Sequence, residues 1–271
     1  ISSRKKPVLW IKSFKKFYRK NIIMLRNRLI SVLTFNDGVL FRTKNFVPDY
    51  RYTLNFVDSW SIDEIVILDI TRNKNNDREK FYETVRNFAK DCFVPLSVGG
   101  GVVSEKDFTS MLNNGADKVI INTKAIENPE LISIAAKKYG SQCVVVSIDV
   151  REIAKGKYEV FSQFGTNATG LNPVNWAKKA QELGAGEIIL TSIDKDGSLE
   201  GYDNQLNRQV SESVEIPVLV LGGAGKWQDF VDGINIGKAS GVCTSNIYHF
   251  TEVSIASAKK FMLYKGVKIR V

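Results

Sequence analysis

The chain has 271 residues, 44% of them hydrophobic, enough for one large core or two small ones, and α/β barrels commonly fill this length as a single domain. Its net charge of +9 suggests a polyanion ligand only until the charge is located. Arg4, Lys5, Lys6, Lys12, Lys15, Lys16, Arg19 and Lys20 put +8 into residues 1–23, which hold no Asp or Glu, leaving +1 for everything after them.

The basic leader admits three readings: an arm for nucleic acid or a membrane surface, since Trp10, Phe14, Phe17 and Tyr18 interleave the charges; a targeting segment; or an extension outside the fold. It has no apolar core and no small-residue cleavage site. Met24, just before the first apolar strand, is a candidate start. The third reading is therefore preferred, with residues 1–23 outside the fold, residues 24–271 as one domain, and neither nucleic acid nor membrane as a partner. No apolar run approaches the ~18 residues of a membrane span. Cys92, Cys143 and Cys243 are odd in number and lack metal spacing, as expected of reduced thiols in a soluble cytoplasmic protein.

Beyond the leader, short apolar strands alternate with amphipathic segments. The spacing predicts strands over Leu29–Leu33, Ile65–Asp69, Pro95–Val98, Val119–Ile121, Val144–Asp149, Ile188–Thr191, Val218–Leu221 and Gly241–Thr244. Helical patterns fall between most of them, over Arg78–Lys90, Glu105–Asn113, Pro129–Lys138, Pro173–Leu183 and Trp227–Ile236. Eight strands separated by helices point to a parallel sheet, and eight closes a (βα)8 TIM barrel.

The two halves also echo each other. "DEIVILDI" returns as "GEIILTSI", "VPLSVGGG" as "IPVLVLGGAG" and "ADKVIINTKA" as "ASGVCTSNIY". The first Gly of each glycine run, Gly99 and Gly222, and the pair Asn122 and Ser245 are each 123 residues apart. A repeated offset across separate motifs means two half-barrel repeats of four βα units.

In such a barrel the active site lies at the C-terminal ends of the strands. Gly99-Gly100-Gly101 follows the third strand and Gly222-Gly223-Ala224-Gly225 the seventh. Glycine lets backbone N–H groups reach an oxyanion with no Cβ in the way. Each run has small polar neighbours after the next strand, Asn122-Thr123 and Thr244-Ser245-Asn246. Two phosphate sites across one mouth would suit an elongated substrate phosphorylated at both ends.

Among the acids at strand ends, Asp149 closes the apolar run "VVVSI", where charge is unexpected, and is the candidate general acid/base. In "TSIDKDGS" both Asp194 and Asp196 can face the pocket, though Asp196 before Gly suits a turn role. Asp69 ends the second strand. At the opposite end, Arg28, Glu64, Lys118 and Glu187 start the first, second, fourth and sixth strands. Two cations and two anions there can close a ring of salt bridges, which by spacing alone is a structural plug. His249, after the last strand, suits a structural role. No metal cluster, nucleophile triad or nucleotide fingerprint is apparent, and no cofactor or metal is expected.

From Met24 to Val271 the chain resembles the cyclase subunit of imidazole glycerol phosphate synthase. The motifs carrying the resemblance are "DGVLFR", "DEIVILDIT", "SVGGGV", "GADKVIINT", "ENPELI", "GSQCVVVSIDV", "GAGEIILTSIDKDGS", "GYD" and "GGAGK". The resemblance implies a lyase barrel that takes ammonia from a partner glutaminase, as a heterodimer, and uses it on a bis-phosphorylated ribulosyl aminoimidazole carboxamide. The products are imidazole glycerol phosphate and aminoimidazole carboxamide ribotide. It implies that Gly100, Gly101, Asn122, Thr123, Thr191, Asp194, Gly222, Gly223, Gly225 and Ser245 serve substrate and phosphate. It makes Arg28, Glu64, Lys118 and Glu187 an ammonia gate, in place of the plug, and puts Asp117 at the glutaminase interface.

The family pairs two catalytic aspartates, ending the first and fifth strands. Asp149 matches the second, and Thr34 stands where the first is expected. Arg42 replaces a lysine and Asn246 a serine. A hydroxyl does not titrate near neutrality as a carboxyl in a pocket can. An alternative implication is a paralogue that passes glutaminase-derived ammonia to a surface-polysaccharide sugar, its cyclase activity lost through Thr34. A third is a catalytically silent partner of a glutaminase.

Overall fold

The computed structural model describes residues 26–51, 62–72, 78–245 and 255–270. The basic leader, Met24, Asn246 and His249 lie outside these residues.

The strands are β1 (Arg28–Asn36), β2 (Val39–Lys44), β3 (Val47–Arg51), β4 (Glu64–Asp69), β5 (Leu96–Gly99), β6 (Lys118–Ile121), β7 (Val144–Ala154), β8 (Lys157–Ser162), β9 (Asn167–Ala168), β10 (Glu187–Ser192), β11 (Val218–Leu221) and β12 (Gly241–Thr244). The helices are α1 (Glu79–Asp91), α2 (Glu105–Asn113), α3 (Thr123–Glu127), α4 (Glu130–Tyr139), α5 (Pro173–Glu182), α6 (Asn204–Ser211), α7 (Trp227–Asn235) and α8 (Ile255–Tyr264). Parallel pairing runs β1-β4-β5-β6-β7-β10-β11-β12 and returns to β1, so eight strands close a (βα)8 barrel.

Because side chains alternate across a strand, each barrel strand feeds two cores. Ile30, Val32, Val66, Ile120, Val145, Ile189, Leu219 and Cys243 point into the lumen and pack together. Their neighbours, including Leu29, Leu33, Ile65, Ile67, Val146 and Leu190, form the larger core under the helices. Strands buried on both faces explain why the sequence shows unbroken apolar runs rather than alternation.

The half-barrel repeat is visible in register. β4 and β10, like β6 and β12, begin 123 residues apart, whereas β5 and β11 begin 122 apart, at Leu96 and Val218. The structural partner of Gly100 is therefore Gly222, one step from the pairing that the first glycine of each run suggests.

Two hairpins interrupt the pattern, and neither is anticipated by the sequence reading. β1 continues to Asn36, turns at Asp37-Gly38 with φ of 44° and 86°, and returns as β2. Positive φ at both turn residues is the geometry a two-residue hairpin requires, and Asp-Gly supplies it readily. β7 likewise runs past Asp149 to Ala154 before β8 returns along it. Arg42 falls within β2. Helices α3, α6 and α8 are also additional to the predicted set.

The ends of the chain's barrel are tied by charge. Lys259 Nζ of α8 lies 2.7 Å from Asp63 Oδ1, and Asp63 Oδ2 accepts from Leu29 N–H at 2.8 Å. Both side chains are almost fully buried. Removing one partner of a buried pair strands the other, at a cost of about 3–5 kcal/mol. Lys259→Met should therefore destabilise the protein by about 3 kcal/mol in urea unfolding; a loss near zero would show that Asp63 is satisfied without it.

Candidate active site

At the barrel's N-terminal end four charges from four strands meet. Arg28 Nη1 lies 2.8 Å from Glu64 Oε2, and Arg28 Nη2 bonds Glu187 Oε1. Lys118 Nζ reaches Glu64 Oε2 at 2.9 Å and Glu187 Oε2 at 2.8 Å. The ring is closed and alternates in sign. Burial opposes the Arg28 charge, yet Glu187 and Glu64 outweigh it and hold the guanidinium above its ordinary pKa. Glu64 carries one further bond, from Ser97 Oγ at 2.6 Å. Cys243 stands above the ring, fully buried; burial and then the Glu64 charge push its thiol well above the usual range, so it stays protonated.

At the opposite end, strand parity aims a second group into the lumen. Thr34 shares a face with Ile30 and Val32, Asn122 with Ile120, Asp149 with Val145, and Thr191 with Ile189. Asp149 is 7% exposed. Asn122 Nδ2 donates to its Oδ2 at 2.6 Å, Ser147 Oγ to its Oδ1 at 3.3 Å, and the Thr191 side chain also bonds it. Burial pushes its pKa up to about 6, against the pull of those three bonds. A carboxyl so placed can hold or release a proton near neutrality, as a general acid/base must.

Thr34 faces this group across the barrel, and register fixes its equivalence. Thr34 pairs with Leu68 on β4, and Asp149 pairs with Thr191 on β10, 123 positions after Leu68. Thr34, also 7% exposed, thus occupies the first-half counterpart of Asp149. The groups around the two differ as well. Where Asp149 has Ser147 and Thr191, Thr34 has Val32 and Leu68.

The glycine turns lie beside this mouth. A Cβ on Gly100, with φ of 98°, would fall 2.1 Å from the Asp69 carbonyl oxygen. One on Gly222, with φ of 100°, would fall 2.5 Å from that of Ser192. Each turn folds against the end of the neighbouring strand, β4 or β10, and only glycine fits such an approach. Thr123 Oγ1 accepts from Gln163 N–H at 3.0 Å, which ties it to the turn after β8. Ser245 follows β12 in register with Cys243.

The two acids of "DKD" both lie in the turn after β10, one buried and the other exposed. Asp196, expected at a turn, is 6% exposed; its Oδ2 accepts from Phe46 N–H at 3.0 Å, and the Thr43 side chain bonds it too. It anchors the β2–β3 tip over the mouth, and burial raises its pKa. Asp194, expected to orient substrate, is exposed on the rim, where its Oδ2 accepts from Glu152 N–H at 3.1 Å. Asp117 is exposed at the opposite end, bonded to Leu96 N–H at 2.8 Å. Sequence reasoning passed over Ser97 and Arg78. A hydroxyl inside the apolar run of β5 was the available signal for the first. Arg78 reached the reading only as the start of a helical pattern.

A closed parallel barrel with a buried acid and glycine turns at the C-terminal mouth defines the class, a (βα)8 barrel with an enzyme-type site. The family is more particular. The model for the histidine biosynthesis protein family matches residues 31–254, and the chain belongs to that family. Its coarse function follows: a barrel enzyme of the histidine-biosynthesis type. Among the described residues, no helix is long and apolar enough to cross a membrane.

The state of Asp149 has a measurable consequence for stability. Its folded pKa, about 6, exceeds the ordinary 3.8, so the folded state binds the proton more tightly than the unfolded one. The stabilisation this gives is complete below pH ~4 and is lost as pH rises through about 6. The rise is worth on the order of 3 kcal/mol. Asp149→Asn should gain stability relative to the parent as pH increases from 4 to 7.5; a difference that stays flat across that range would refute the buried-acid assignment.

Proposed function

We propose that this chain is the ammonia-accepting, cyclase-type subunit of a glutamine amidotransferase, acting on a bis-phosphorylated ribulosyl aminoimidazole carboxamide. The observation that carries the reading is the charged ring of Arg28, Glu64, Lys118 and Glu187 at the barrel floor. A site at the mouth has no chemical need of a ring of charge at the far end. A reaction fed from below does, and the resembling cyclases use these positions as an ammonia gate. The apolar lumen between ring and mouth favours neutral ammonia over ammonium, because an unpaired charge is costly to desolvate. A glutaminase partner would dock at the floor, near Asp117.

At the mouth, Gly100 and Gly101 with Asn122 and Thr123 would bind one phosphate. Gly222, Gly223 and Gly225 with Ser245 would bind the other. Thr191 and Asn122 orient Asp149 as the acid/base, and Asp194, exposed on the rim, would contact substrate. Cyclisation needs proton transfers at two places, and Thr34 offers no titrating group at the second. That observation favours a second reading, in which the ammonia is delivered to another acceptor, a surface-polysaccharide sugar.

The two readings separate in one assay, ammonium-dependent turnover of the bis-phosphorylated substrate by the parent, Thr34→Asp and Asp149→Asn. The first expects turnover in the parent and a loss of about 10²-fold or more in Asp149→Asn. Inactivity in the parent with recovery in Thr34→Asp would replace it with the second. Inactivity in both would remove the cyclase substrate from consideration.

A further inference from the structure

The first glycine turn is held from behind by a side chain. Arg78 Nη2 donates to the Gly100 carbonyl at 2.5 Å and Nη1 to the Gly101 carbonyl at 3.3 Å, while Nη2 lies 3.4 Å from Asp69 Oδ2. The guanidinium also sits 5.4 Å from the Phe81 ring centroid and 5.5 Å from that of Tyr82, so it reaches the turn from the helical layer. In a trans peptide the N–H points opposite to the C=O. Binding two successive carbonyls on one side therefore turns two successive N–H groups, those of Gly101 and Val102, to the other side, toward the mouth. Neither N–H has an acceptor among the described residues, although Val102 is buried. Buried N–H groups are rarely left unpaired, and two adjacent ones form an anion-binding concavity.

The second half-barrel restrains its turn at one of the two equivalent carbonyls, by other means. There the Gly223 carbonyl accepts from Gly201 N–H at 2.8 Å. Gly201 stands 123 positions after Arg78, the offset that relates β4 to β10. The N–H groups of Gly223 and Ala224 are likewise without acceptors among the described residues. A donor at one repeat position thus restrains both turns, a backbone N–H in one half and a guanidinium in the other.

We infer that Arg78 is a positioning residue that orients the Gly101 and Val102 N–H groups as the first phosphate site. The inference rests on the phosphate-binding reading of the two turns. A planar fork is needed to span both carbonyls, which lysine lacks.

Inorganic phosphate titrated into the full-length ¹⁵N-labelled protein tests this. In the parent it should shift the amide signals of Gly101 and Val102, and those of Gly223 and Ala224. Arg78→Met should weaken phosphate binding at the first pair about tenfold or more, the scale expected when donors to a charged group are misaligned. The second pair should be unchanged, and serves as the internal check that the barrel is folded. Arg78→Lys, which keeps the charge, should be impaired nearly as much. Unchanged first-pair affinity in Arg78→Met, or full affinity in Arg78→Lys, would overturn the positioning role. Shifts confined to the second pair in the parent would do so too. No shift at either pair in the parent would instead overturn the phosphate reading on which it rests.

Discussion

Register in the closed parallel sheet is the constraint on which everything else here depends. A strand has a period of two, so one choice of register sends Arg28, Ile30, Val32 and Thr34 along a single inner line. The same holds for Glu187, Ile189 and Thr191. The floor charge and the mouth residue of a strand are thereby fixed together. A one-residue slip would place Glu64 and Glu187 under the helices and leave the cations without partners. The ring is therefore as much a register lock as a chemical feature, because breaking a buried ion pair costs more than forming it gains.

Against that shared frame the differences between the halves stand out. Asp149 is surrounded by Asn122, Ser147 and Thr191, all able to hydrogen-bond it. At the counterpart position Thr34 sits between an apolar pair, Val32 and Leu68. A carboxylate there would lack the counterparts of Ser147 and Thr191, two of the three groups that hydrogen-bond Asp149. A threonine in that place is a local fit to its surroundings. The change of side chain at Thr34 is accompanied by a change from hydroxyl to apolar side chains at 32 and 68.

Much of this was legible in the sequence because apolar runs, glycine turns and misplaced charges are local signals. The eight strands follow from runs of three to six residues, and the ring from charges standing just before such runs. The hairpin β1–β2 was less legible, because its return strand has only three apolar residues before Arg42, Thr43 and Lys44, although Asp37-Gly38 carried the turn chemistry. That Asp196 is buried and Asp194 exposed was not legible, since two residues on a loop differ in burial only by what the fold brings over them. Here that is the β2–β3 tip, whose Phe46 N–H bonds Asp196. Arg78 was hidden for a related reason: its partners are carbonyls 22 and 23 residues away, and carbonyls leave no mark in a sequence.

The repeat nevertheless offers a way to find such residues. If two half-barrels perform one geometric task, each restraint in one half must have an equivalent in the other, whatever atom supplies it. Gly201 N–H and the Arg78 guanidinium satisfy that condition at positions 123 apart, on turns whose own offset is 122. The substitution is not neutral. A backbone donor brings a partial charge, and a guanidinium brings a full one beside Asp69. An elongated anionic ligand would therefore meet, across one mouth, two turns of similar backbone shape, one restrained by a backbone N–H and the other by a guanidinium paired with Asp69.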